Sequence, residues 1–520
     1  MKNVVIIGSG IGGLCTAVRL LKQGFNVTIL EKESTIGGKV NVKEAQGFRF
    51  DLTASILMTP YTYSEVFDYA GRDYRNYFEF IKLDPIYNVN YYDGVQFYAY
   101  EDLDKMKHEL DKLENESESF KINLANNKVK KYRNHFNSNL FEQYKEFQNK
   151  SLRKYLIAQR KLLCRPMINF RELLNKDVLK SLNKISPIKT SDRYISKIIK
   201  NQKFKDYLLF LTMYIGVNPY ESSNIYTMIP AVTHNYGVSY IKGGVYKYIL
   251  ALVKLIHEMG GKIKTNTEAQ QIIVKHNRVT AVKTEDLIYT SDIVVCNADY
   301  PYAVRNLFHE NIEQQLEREK IVKIKGSSCS VFIIYLGLSK KFNDLNVHNI
   351  YISSELKKSI EQAFEGEIPE CPSAYIYYPS AVDDTLCSKG KSVMNIMVRV
   401  PNLFYKDIKW NEENISELRN KTINEIKKIK GLENIEEYIE YEDYLVPEDL
   451  ENIFNAYEGS AFGLSHKLNQ SLVFRPPIKE KIIDGLYFIG SSTHPGNGVF
   501  IIINGTKVLA EVICKDNLFS

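Results

Sequence analysis

Residues 4–13 have the sequence VVIIGSGIGG, an apolar run that breaks into glycines spaced as Gly8-x-Gly10-x-x-Gly13. Apolar residues then recur at helical spacing, and Gly24 ends the predicted helix. A second apolar strand, residues 27–30, carries Glu31 at its carboxyl end. A strand, glycine turn, helix, second strand and acidic residue in this order predict a Rossmann-like dinucleotide-binding unit.

The residue types of this segment suit the chemistry of a dinucleotide. Gly8 permits the tight turn, Gly10 lets the backbone approach a pyrophosphate, and Gly13 allows the helix and strand to pack closely. Unpaired N–H groups at the helix start attract the phosphates. Glu31 can accept hydrogen bonds from ribose hydroxyls and would repel a 2′-phosphate. The predicted cofactor-binding residues here are Gly8, Ser9, Gly10, Ile11, Gly12, Gly13, Glu31 and Lys32.

A second glycine step bears on which dinucleotide is bound. Ile36-Gly37-Gly38-Lys39 follows shortly after Glu31. A Gly-Gly-basic step in this position is typical of flavoproteins that hold FAD extended across the sheet. The small residues let the chain pass close to the cofactor, and the basic side chain lies near it. The step therefore favours FAD over NAD and adds Gly38 and Lys39 to the predicted site.

The carboxyl-terminal part repeats the strand, glycine loop and helix. Residues 486–489 are apolar, residues 490–498 are GSSTHPGNG, and a helix is predicted to begin near Val499. Such a loop presents N–H groups to phosphates or to the pyrimidine edge of a flavin. His494 could polarise the flavin or take a proton, but we favour a loop-shaping role with its ring bonded to backbone. The predicted contacts are Gly490, Thr493, His494, Pro495, Gly498 and Val499.

Length and composition are those of an ordinary globular protein. The 520 residues are 44% hydrophobic and 25% charged, which suits two joined domains and a further lobe. No stretch approaches the ~20 apolar residues of a membrane-spanning helix, and the amino terminus does not have the pattern of a signal peptide. The seven cysteines are scattered and form no CxxC pair. This pattern predicts reduced thiols in the cytoplasm and no metal site.

Positive charge is concentrated in one part of the chain. Between Lys121 and Phe210 there are 22 Lys and Arg against 6 Asp and Glu, a net charge of +16, whereas the whole chain has +6. Apolar residues are interleaved there at helical spacing. A basic amphipathic segment suits an anionic membrane surface, where each Lys or Arg contributes ~1 kcal/mol. A solvated helical face in a lysine-rich protein explains the pattern equally well. No nucleic acid is expected, because no binding motif accompanies the charge.

The chain returns to the dinucleotide unit after two long excursions. The predicted fold class is therefore α/β: a Rossmann-like FAD-binding domain of the two-dinucleotide-binding-domain type, interleaved with an α+β substrate domain and a helical lobe that can face a membrane. The predicted boundaries are 1–100, 225–300 and 480–520 for the FAD-binding domain, 101–224 for the helical basic lobe, and 301–479 for the substrate domain.

Three segments together resemble the carotenoid-type phytoene desaturases, including the dehydrosqualene (4,4'-diapophytoene) desaturases, within the amine-oxidase-like flavoproteins. They are the start through GFRFD at 47–51, the middle with YIGVNPY at 214–220 and YIKGG at 240–244, and the terminal Gly490-x-x-Thr493-His494-Pro495-Gly496-x-Gly498. Two departures stand out. The family usually has Gly-Pro or Gly-Ser where this chain has Thr53-Ala54-Ser55, and Arg is commoner at the position of Lys39.

The resemblance implies that double bonds are introduced into a long isoprenoid polyene such as phytoene or dehydrosqualene, by hydride transfer to flavin. A hydrocarbon without polar groups requires an apolar tunnel, to which we assign Thr53 and Ile56. No catalytic residue beyond His494 is indicated. Because the substrate resides in lipid, peripheral association with the cytoplasmic membrane is expected. The alternatives are a carotenoid isomerase or oxygenase, and a non-catalytic prenyl-lipid carrier. Oxygen and a quinone both remain open as electron acceptor.

Overall fold

The computed structural model describes residues 2–124, 139–308 and 326–518. Its strands are β1 (Asn3–Ile7), β2 (Asn26–Leu30), β3 (Val42–Ala45), β4 (Phe48–Asp51), β5 (Leu57–Met58), β6 (Phe80–Lys82), β7 (Tyr87–Tyr91), β8 (Gln96–Ala99), β9 (Val238–Ile241), β10 (Lys262–Lys264), β11 (Gln271–Lys275), β12 (Arg278–Lys283), β13 (Ile288–Thr290), β14 (Ile293–Cys296), β15 (Ser330–Leu338), β16 (His348–Ile352), β17 (Ala374–Tyr377), β18 (Ser392–Val400), β19 (Ile439–Leu445) and β20 (Leu486–Phe488).

The helices connect these strands and build the lobe. They are α1 (Ile11–Lys22), α2 (Pro60–Ala70), α3 (Leu103–Leu124), α4 (Leu140–Ala158), α5 (Lys176–Ile185), α6 (Ser191–Ile198), α7 (Gln202–Thr212), α8 (Met228–Tyr236), α9 (Tyr246–Glu258), α10 (Tyr300–Asn306), α11 (Leu356–Glu365), α12 (Glu412–Ile426), α13 (Pro447–Phe454) and α14 (Val499–Leu518).

A parallel sheet of five strands, in the order β10-β2-β1-β14-β20, forms the centre of the dinucleotide unit. Side chains alternate across β1, because successive residues of a strand point to opposite faces. Ile6 packs into the core under α1, α9 and α14. Its neighbours Val5 and Ile7 pack on the other face, against β11, β12 and α10. The sheet is thus covered on both sides, as its continuous apolar strands predict.

A second sheet of seven strands, in the order β19-β15-β18-β17-β16-β7-β8, forms the other half of the molecule. Strand β15 is buried along all nine residues, and it pairs with the whole of β18 in antiparallel register. Leu418, Ile423 and Ile426 of α12 cover one face. The helices of the lobe, among them α4 and α7, pack near β7 and β8. The predicted α/β fold class is confirmed.

The predicted division of the chain stays a prediction, and it differs from the strand pairing in one place. The central sheet takes its strands from the three segments assigned to the FAD-binding domain. However, β7 and β8, which fall within residues 1–100, belong to the seven-stranded sheet, where β7 pairs with β16. Both strands are short, so local sequence does not reveal which sheet they join. Within the described ranges, no helix combines the length and apolar character needed to span a bilayer.

Candidate functional site

A cavity of about 340 Å³ opens at the carboxyl ends of the central strands. Ile7 after β1, Leu30 of β2 and Asn297 after β14 line it together. In open parallel sheets, ligands bind at this edge, at the point where the connections that follow two neighbouring strands leave toward opposite sides. This volume lies within the ~300–1,000 Å³ usual for a small-ligand pocket.

The glycine loop brings the start of α1 to the cavity. Gly10 is the N-cap of α1 and has an extended backbone, and Gly8, Gly10 and Gly12 line the cavity wall. A Cβ atom on Gly13 would lie 2.3 Å from the carbonyl oxygen of Gly8. No side chain fits there, so Gly13 is required for helix and strand to approach. The first amides of α1 therefore face the cavity, as expected for a phosphate cradle.

Glu31 fixes the loop as well as lining the cavity. Its Oε2 accepts hydrogen bonds from the Ser9 amide at 2.8 Å and from the Ser9 hydroxyl at 2.6 Å, and Oε1 accepts from the Glu33 amide at 3.0 Å. A carboxylate offers about four acceptor positions, so one oxygen holds the glycine turn and the other retains capacity toward the cavity. The proposed contact with a ribose remains a prediction.

Lys39 anchors a neighbouring loop. Its Nζ donates to the carbonyl oxygens of Ser460 and Ala461, each at 3.1 Å. Burial lowers the pKa of Lys39, and the side chain also lines the cavity. The Thr53 hydroxyl donates back to the Lys39 carbonyl, so the predicted substrate residue and the predicted cofactor residue are adjacent.

Two important site residues were missed by the sequence analysis, and Asn297 is the first. Its Oδ1 accepts from the Gly13 amide at 2.9 Å, and its Nδ2 donates to the Ile489 carbonyl at 2.8 Å. Asn297 therefore ties the loops after β1, β14 and β20 together. Its position directly after a buried strand of the same sheet was the available signal, because polar residues there reach the ligand edge.

Arg475 is the second missed residue. It is 2% exposed, and burial lowers its pKa to about 10. Its guanidinium donates to five backbone carbonyls at 2.5 to 3.3 Å, namely those of Leu464, Ser465, Gln470, Ser491 and Thr493. Two of these belong to the closing glycine loop, so Arg475 fixes that loop from behind. Nothing in the local sequence marks this role.

His494 lies on the far side of the closing loop. Its Nε2 is 2.9 Å from the carbonyl oxygen of Arg165, which lies in the helical lobe. Burial lowers the pKa of His494 to about 4, so the ring is neutral near pH 7 and donates from Nε2. The ring does not line the cavity. This geometry favours a role in connecting the loop to the lobe.

Most of the predicted site residues meet around the cavity. Its walls include Gly8, Gly10, Ile11, Gly12, Glu31, Lys32, Gly38, Lys39, Gly490, Thr493, Gly498 and Val499, together with Thr53 and Ile56. Ser9, Gly13, His494 and Pro495 do not line it and support the loops instead. Among the residues that the structure describes, no three His, Cys, Asp or Glu side chains gather as metal ligands.

The residues present fit FAD. Two helix starts, at Gly10 and at Gly498–Val499, open into the same cavity, and both supply backbone N–H groups for anionic phosphates. Glu31 sits at the end of β2, where a ribose diol is bound in this architecture. Ile56, Met58 and Val331 line the other end of the cavity and make it apolar.

Comparison with known proteins agrees with this geometry. The profile of the flavin-containing amine oxidoreductase family matches residues 11–501. The chain is 31% identical over 520 residues to a 4,4'-diapophytoene desaturase (4,4'-diaponeurosporene-forming) of Staphylococcus haemolyticus, and 32% identical to that of Staphylococcus aureus strain Newman, covering 99% of each chain.

Solved structures show the same fold at low sequence identity. An oxidoreductase from Methanosarcina mazei superposes with a TM-score of 0.64 at 15% identity, covering 98% of this chain and 100% of that one. Putrescine oxidase superposes with a TM-score of 0.62 at 10% identity, covering 100% and 99%. The predicted cofactor and the predicted enzyme class are confirmed by the family match. The chain belongs to the flavin-containing amine oxidoreductase family and is an FAD-dependent oxidoreductase.

Proposed function

We propose that this flavoprotein is a desaturase that introduces double bonds into a long isoprenoid polyene of the phytoene or dehydrosqualene class. The observation that carries the proposal is one continuous cavity with two chemically different ends. Its carboxylates, Glu31, Glu33, Glu268 and Asp299, all belong to loops at the edge of the central sheet. The opposite end carries none among its described residues. A dinucleotide suits the first end and a hydrocarbon the second.

The apolar end can bind a hydrocarbon by burial alone. Ile56, Met58, Tyr63, Val331 and Phe462 contribute to its walls. Each buried CH₂ group of a ligand contributes ~0.8 kcal/mol, so a chain of many such groups needs no polar anchor. These walls also restrict the orientation of the ligand. Holding one C–H bond toward the cofactor is the main way in which the protein accelerates this reaction. With FAD bound, the flavin ring supplies the hydride acceptor.

The full-length relatives support the same substrate class, since they are named 4,4'-diapophytoene desaturases. The chain's departure at Thr53-Ala54-Ser55 lies in the cavity wall, and it bears on the choice between C30 and C40 polyenes. The electron acceptor is dioxygen or a quinone. Turnover under argon, with and without an added quinone, separates these two acceptors.

Assay of the purified protein with dehydrosqualene and with phytoene in lipid vesicles tests the proposal. Desaturation removes two hydrogen atoms per new double bond and moves the absorption to longer wavelength, so mass spectrometry and absorbance detect it. Apoprotein, and the same apoprotein after FAD is restored, form the matched pair of samples. Only the restored sample should convert substrate.

Other outcomes of this assay contradict the proposal in distinct ways. Products of unchanged mass but altered absorption would identify an isomerase. Products that gain an oxygen atom would identify an oxygenase. Tight polyene binding without any turnover, in protein that does not retain FAD, would identify a carrier.

We also propose that the protein binds the cytoplasmic face of an anionic membrane through its helical lobe. Several large apolar side chains are exposed there: Leu174 is 74% exposed and Ile188 is 85% exposed. Phe170 is also exposed, and its ring lies 5.4 Å from that of Phe474. We call the exposed residues Phe170, Leu174, Leu179, Ile188 and Phe474 the apolar cluster. Apolar side chains beside lysines are what an interfacial membrane contact requires.

Basic residues alternate with the residues of the apolar cluster along the chain. Arg171, Lys176, Lys180 and Lys184 are exposed, and within the described ranges none of them has an ion-pair partner. Lys154 also belongs to the predicted basic lobe, but its side chain is buried and is not part of a solvated face. Its Nζ donates to Asn224 at 3.0 Å and lies 3.6 Å from the centre of the Tyr194 ring, and burial lowers its pKa to about 8. Lys128, Lys130, Lys131 and Arg133, which belong to the predicted basic lobe, lie outside the described residues.

The position of the apolar cluster supports substrate entry from lipid. Arg165 precedes Phe170 by five residues, and its carbonyl is bonded to His494 of the closing loop. Leu472 and Val473 also pack against the small core formed by Leu162 and Met167 beneath the cluster. A lobe docked by this surface therefore holds the cofactor loops near the lipid in which a polyene is dissolved.

A further inference from the structure

Two arginines lie close to the cavity and form no ion pair among the described residues, and they differ in how their donors are used. Arg475 donates five hydrogen bonds to backbone carbonyls. Arg399 of β18 makes far fewer contacts: one N–H group donates to the Met397 sulfur at 2.8 Å, and another donates to the Met213 carbonyl at 3.5 Å. Thioether sulfur is a weak acceptor, so the guanidinium of Arg399 is poorly satisfied.

The third guanidinium nitrogen of Arg399 shows more clearly that this group lacks hydrogen-bond acceptors. Its Nε is buried and has no hydrogen-bond partner among the described residues. Burial lowers the pKa of Arg399, because a charge removed from water is penalised. The Arg399 residue as a whole is half-buried, but cations withdrawn from water are ordinarily paired with an acid or fully hydrogen-bonded, as Arg475 is. Arg399 therefore lacks an acceptor that a ligand could supply.

The side chain lines the cavity at its apolar end. Its guanidinium carbon is 4.7 Å from the centre of the Phe462 ring, and Tyr214, Tyr375 and Met397 line the same cavity. The Tyr375 hydroxyl is already engaged by Ser55 at 2.9 Å and by His348 at 2.7 Å. The positive charge of Arg399 therefore lies among aromatic and sulfur-bearing side chains, away from the carboxylates of the dinucleotide end.

A pure hydrocarbon has no group that uses this cation. A planar guanidinium matches a carboxylate with two parallel hydrogen bonds, and the low-dielectric surroundings strengthen such a pair. We propose that Arg399 is a second-ligand subsite, which binds the terminal carboxylate of a long apolar molecule whose chain lies in the polyene cavity. The inference rests on the proposed function, because the same apolar walls receive the chain. A carboxylated polyene and a fatty acid share this chemistry.

Binding measurements on FAD-loaded protein test the subsite. Retinoic acid and its methyl ester form one pair of probes, and oleic acid and methyl oleate form the other. Within each pair the apolar chain is the same, and an anionic carboxylate is compared with its uncharged methyl ester. Equilibrium dialysis with wild-type protein should show roughly tenfold or tighter binding of an acid than of its ester, the size expected for charge-assisted hydrogen bonds. A preference confined to the retinoid pair indicates a polyene carboxylate, and one confined to the oleate pair indicates a fatty acid.

Substitutions at Arg399 show whether this residue causes the preference for the acid over its ester. R399Q should abolish the preference for the acid, and R399K should retain part of it, because lysine keeps the charge but loses the planar fork. R278Q removes one positive charge from an exposed position on β12 and should keep the full preference. Equal binding of acid and ester by the wild type, or an unchanged preference in R399Q, would overturn the subsite.

Two further measurements distinguish carboxylate binding at Arg399 from cofactor binding and from desaturation. If R399Q loses FAD affinity roughly tenfold while the acid preference persists, Arg399 serves the cofactor and the subsite is refuted. Conversion of dehydrosqualene by the wild type is measured in parallel. Its absence, together with an intact acid preference that depends on Arg399, would refute desaturation and leave the subsite standing.

Discussion

The Gly13 amide donates a 2.9 Å hydrogen bond to Oδ1 of Asn297, although 284 residues separate the two in the chain. Through Nδ2, Asn297 also donates to the Ile489 carbonyl at 2.8 Å. The Gly13 amide lies in the first turn of α1, so it has no acceptor within the helix, and Asn297 supplies one. This bond leaves the preceding amides of the helix start directed at the cavity. One amide side chain therefore sets the relative position of both glycine loops.

Asn297→Ala should weaken FAD binding, because it frees the Gly13 amide and the Ile489 carbonyl at once. A buried group left without its partner costs ~1–3 kcal/mol, so we expect the FAD dissociation constant to rise roughly tenfold or more. Titration of apoprotein with FAD, followed by flavin fluorescence, measures it. Asn306→Ala is the control, since Asn306 is exposed and, among the described residues, its side chain bonds only to Tyr302 of α10. Equal FAD affinity in the two variants would contradict the role assigned to Asn297.

Arg475→Lys should lower both stability and FAD affinity. Lysine has three donors on a flexible chain and cannot satisfy five carbonyls arranged around a planar group. Unpaired buried carbonyls cost ~1–3 kcal/mol each, so a loss of about 3 kcal/mol in the free energy of unfolding is expected. Urea denaturation with and without FAD measures this loss, and Arg278→Lys serves as an exposed control. A stable variant that still binds FAD normally would show that Arg475 does not position the closing loop.

The sequence predicted the parts of the site that are local in the chain. The glycine spacing, Glu31 after β2 and the closing loop are each encoded within a few residues, because turns and helix starts impose residue types at fixed offsets. Asn297 and Arg475 act through contacts between distant segments. Such contacts impose no fixed residue spacing that could be recognised in the sequence. Likewise, β7 joined the seven-stranded sheet through its pairing with β16, which periodicity alone does not specify.

Asp51 should make folding stability depend on pH in a way opposite to that of the buried histidines. Burial raises the pKa of Asp51 to about 6, against ~3.9 in an unfolded chain. The native state thus holds its proton more tightly, so this contribution is complete below pH ~4 and is lost as pH rises through 6. It amounts to about 3 kcal/mol, at 1.36 kcal/mol per pKa unit. Its carboxylate accepts from the Tyr377 hydroxyl at 2.8 Å.

Comparison with Asp51→Asn isolates this contribution. Burial lowers the pKa of His234, His348, His466 and His494, so their protonation reduces stability as pH falls. The difference in unfolding free energy between wild type and Asp51→Asn cancels that background. The wild type should lose about 2 kcal/mol relative to the variant between pH 4 and 6.5. A difference that stays constant over this range would show that Asp51 titrates normally.

Membrane binding should depend on the basic residues around the apolar cluster. Replacing Arg171, Lys176, Lys180 and Lys184 by Gln removes four positive charges from exposed positions, each of which contributes ~1 kcal/mol near an anionic surface. Sedimentation with anionic vesicles should therefore fall by at least tenfold in partition coefficient. The wild type should also release vesicles as salt rises, since the Debye length is only ~8 Å at physiological ionic strength.

A second set of substitutions tells local docking from a general effect of net charge. Lys389, Lys406, Lys409 and Lys430 are also exposed and lie in the segments that join the strands and helices of the substrate domain. Their replacement by Gln changes the net charge equally, but vesicle binding should stay within about twofold of the wild type if docking is local. Replacing Leu174 and Ile188 by Ser should weaken binding to anionic vesicles even at low salt, because apolar insertion is not screened. Equal losses in the two charge sets, or no loss in either, would mean that the basic surface around the apolar cluster is only solvated and that the polyene enters elsewhere.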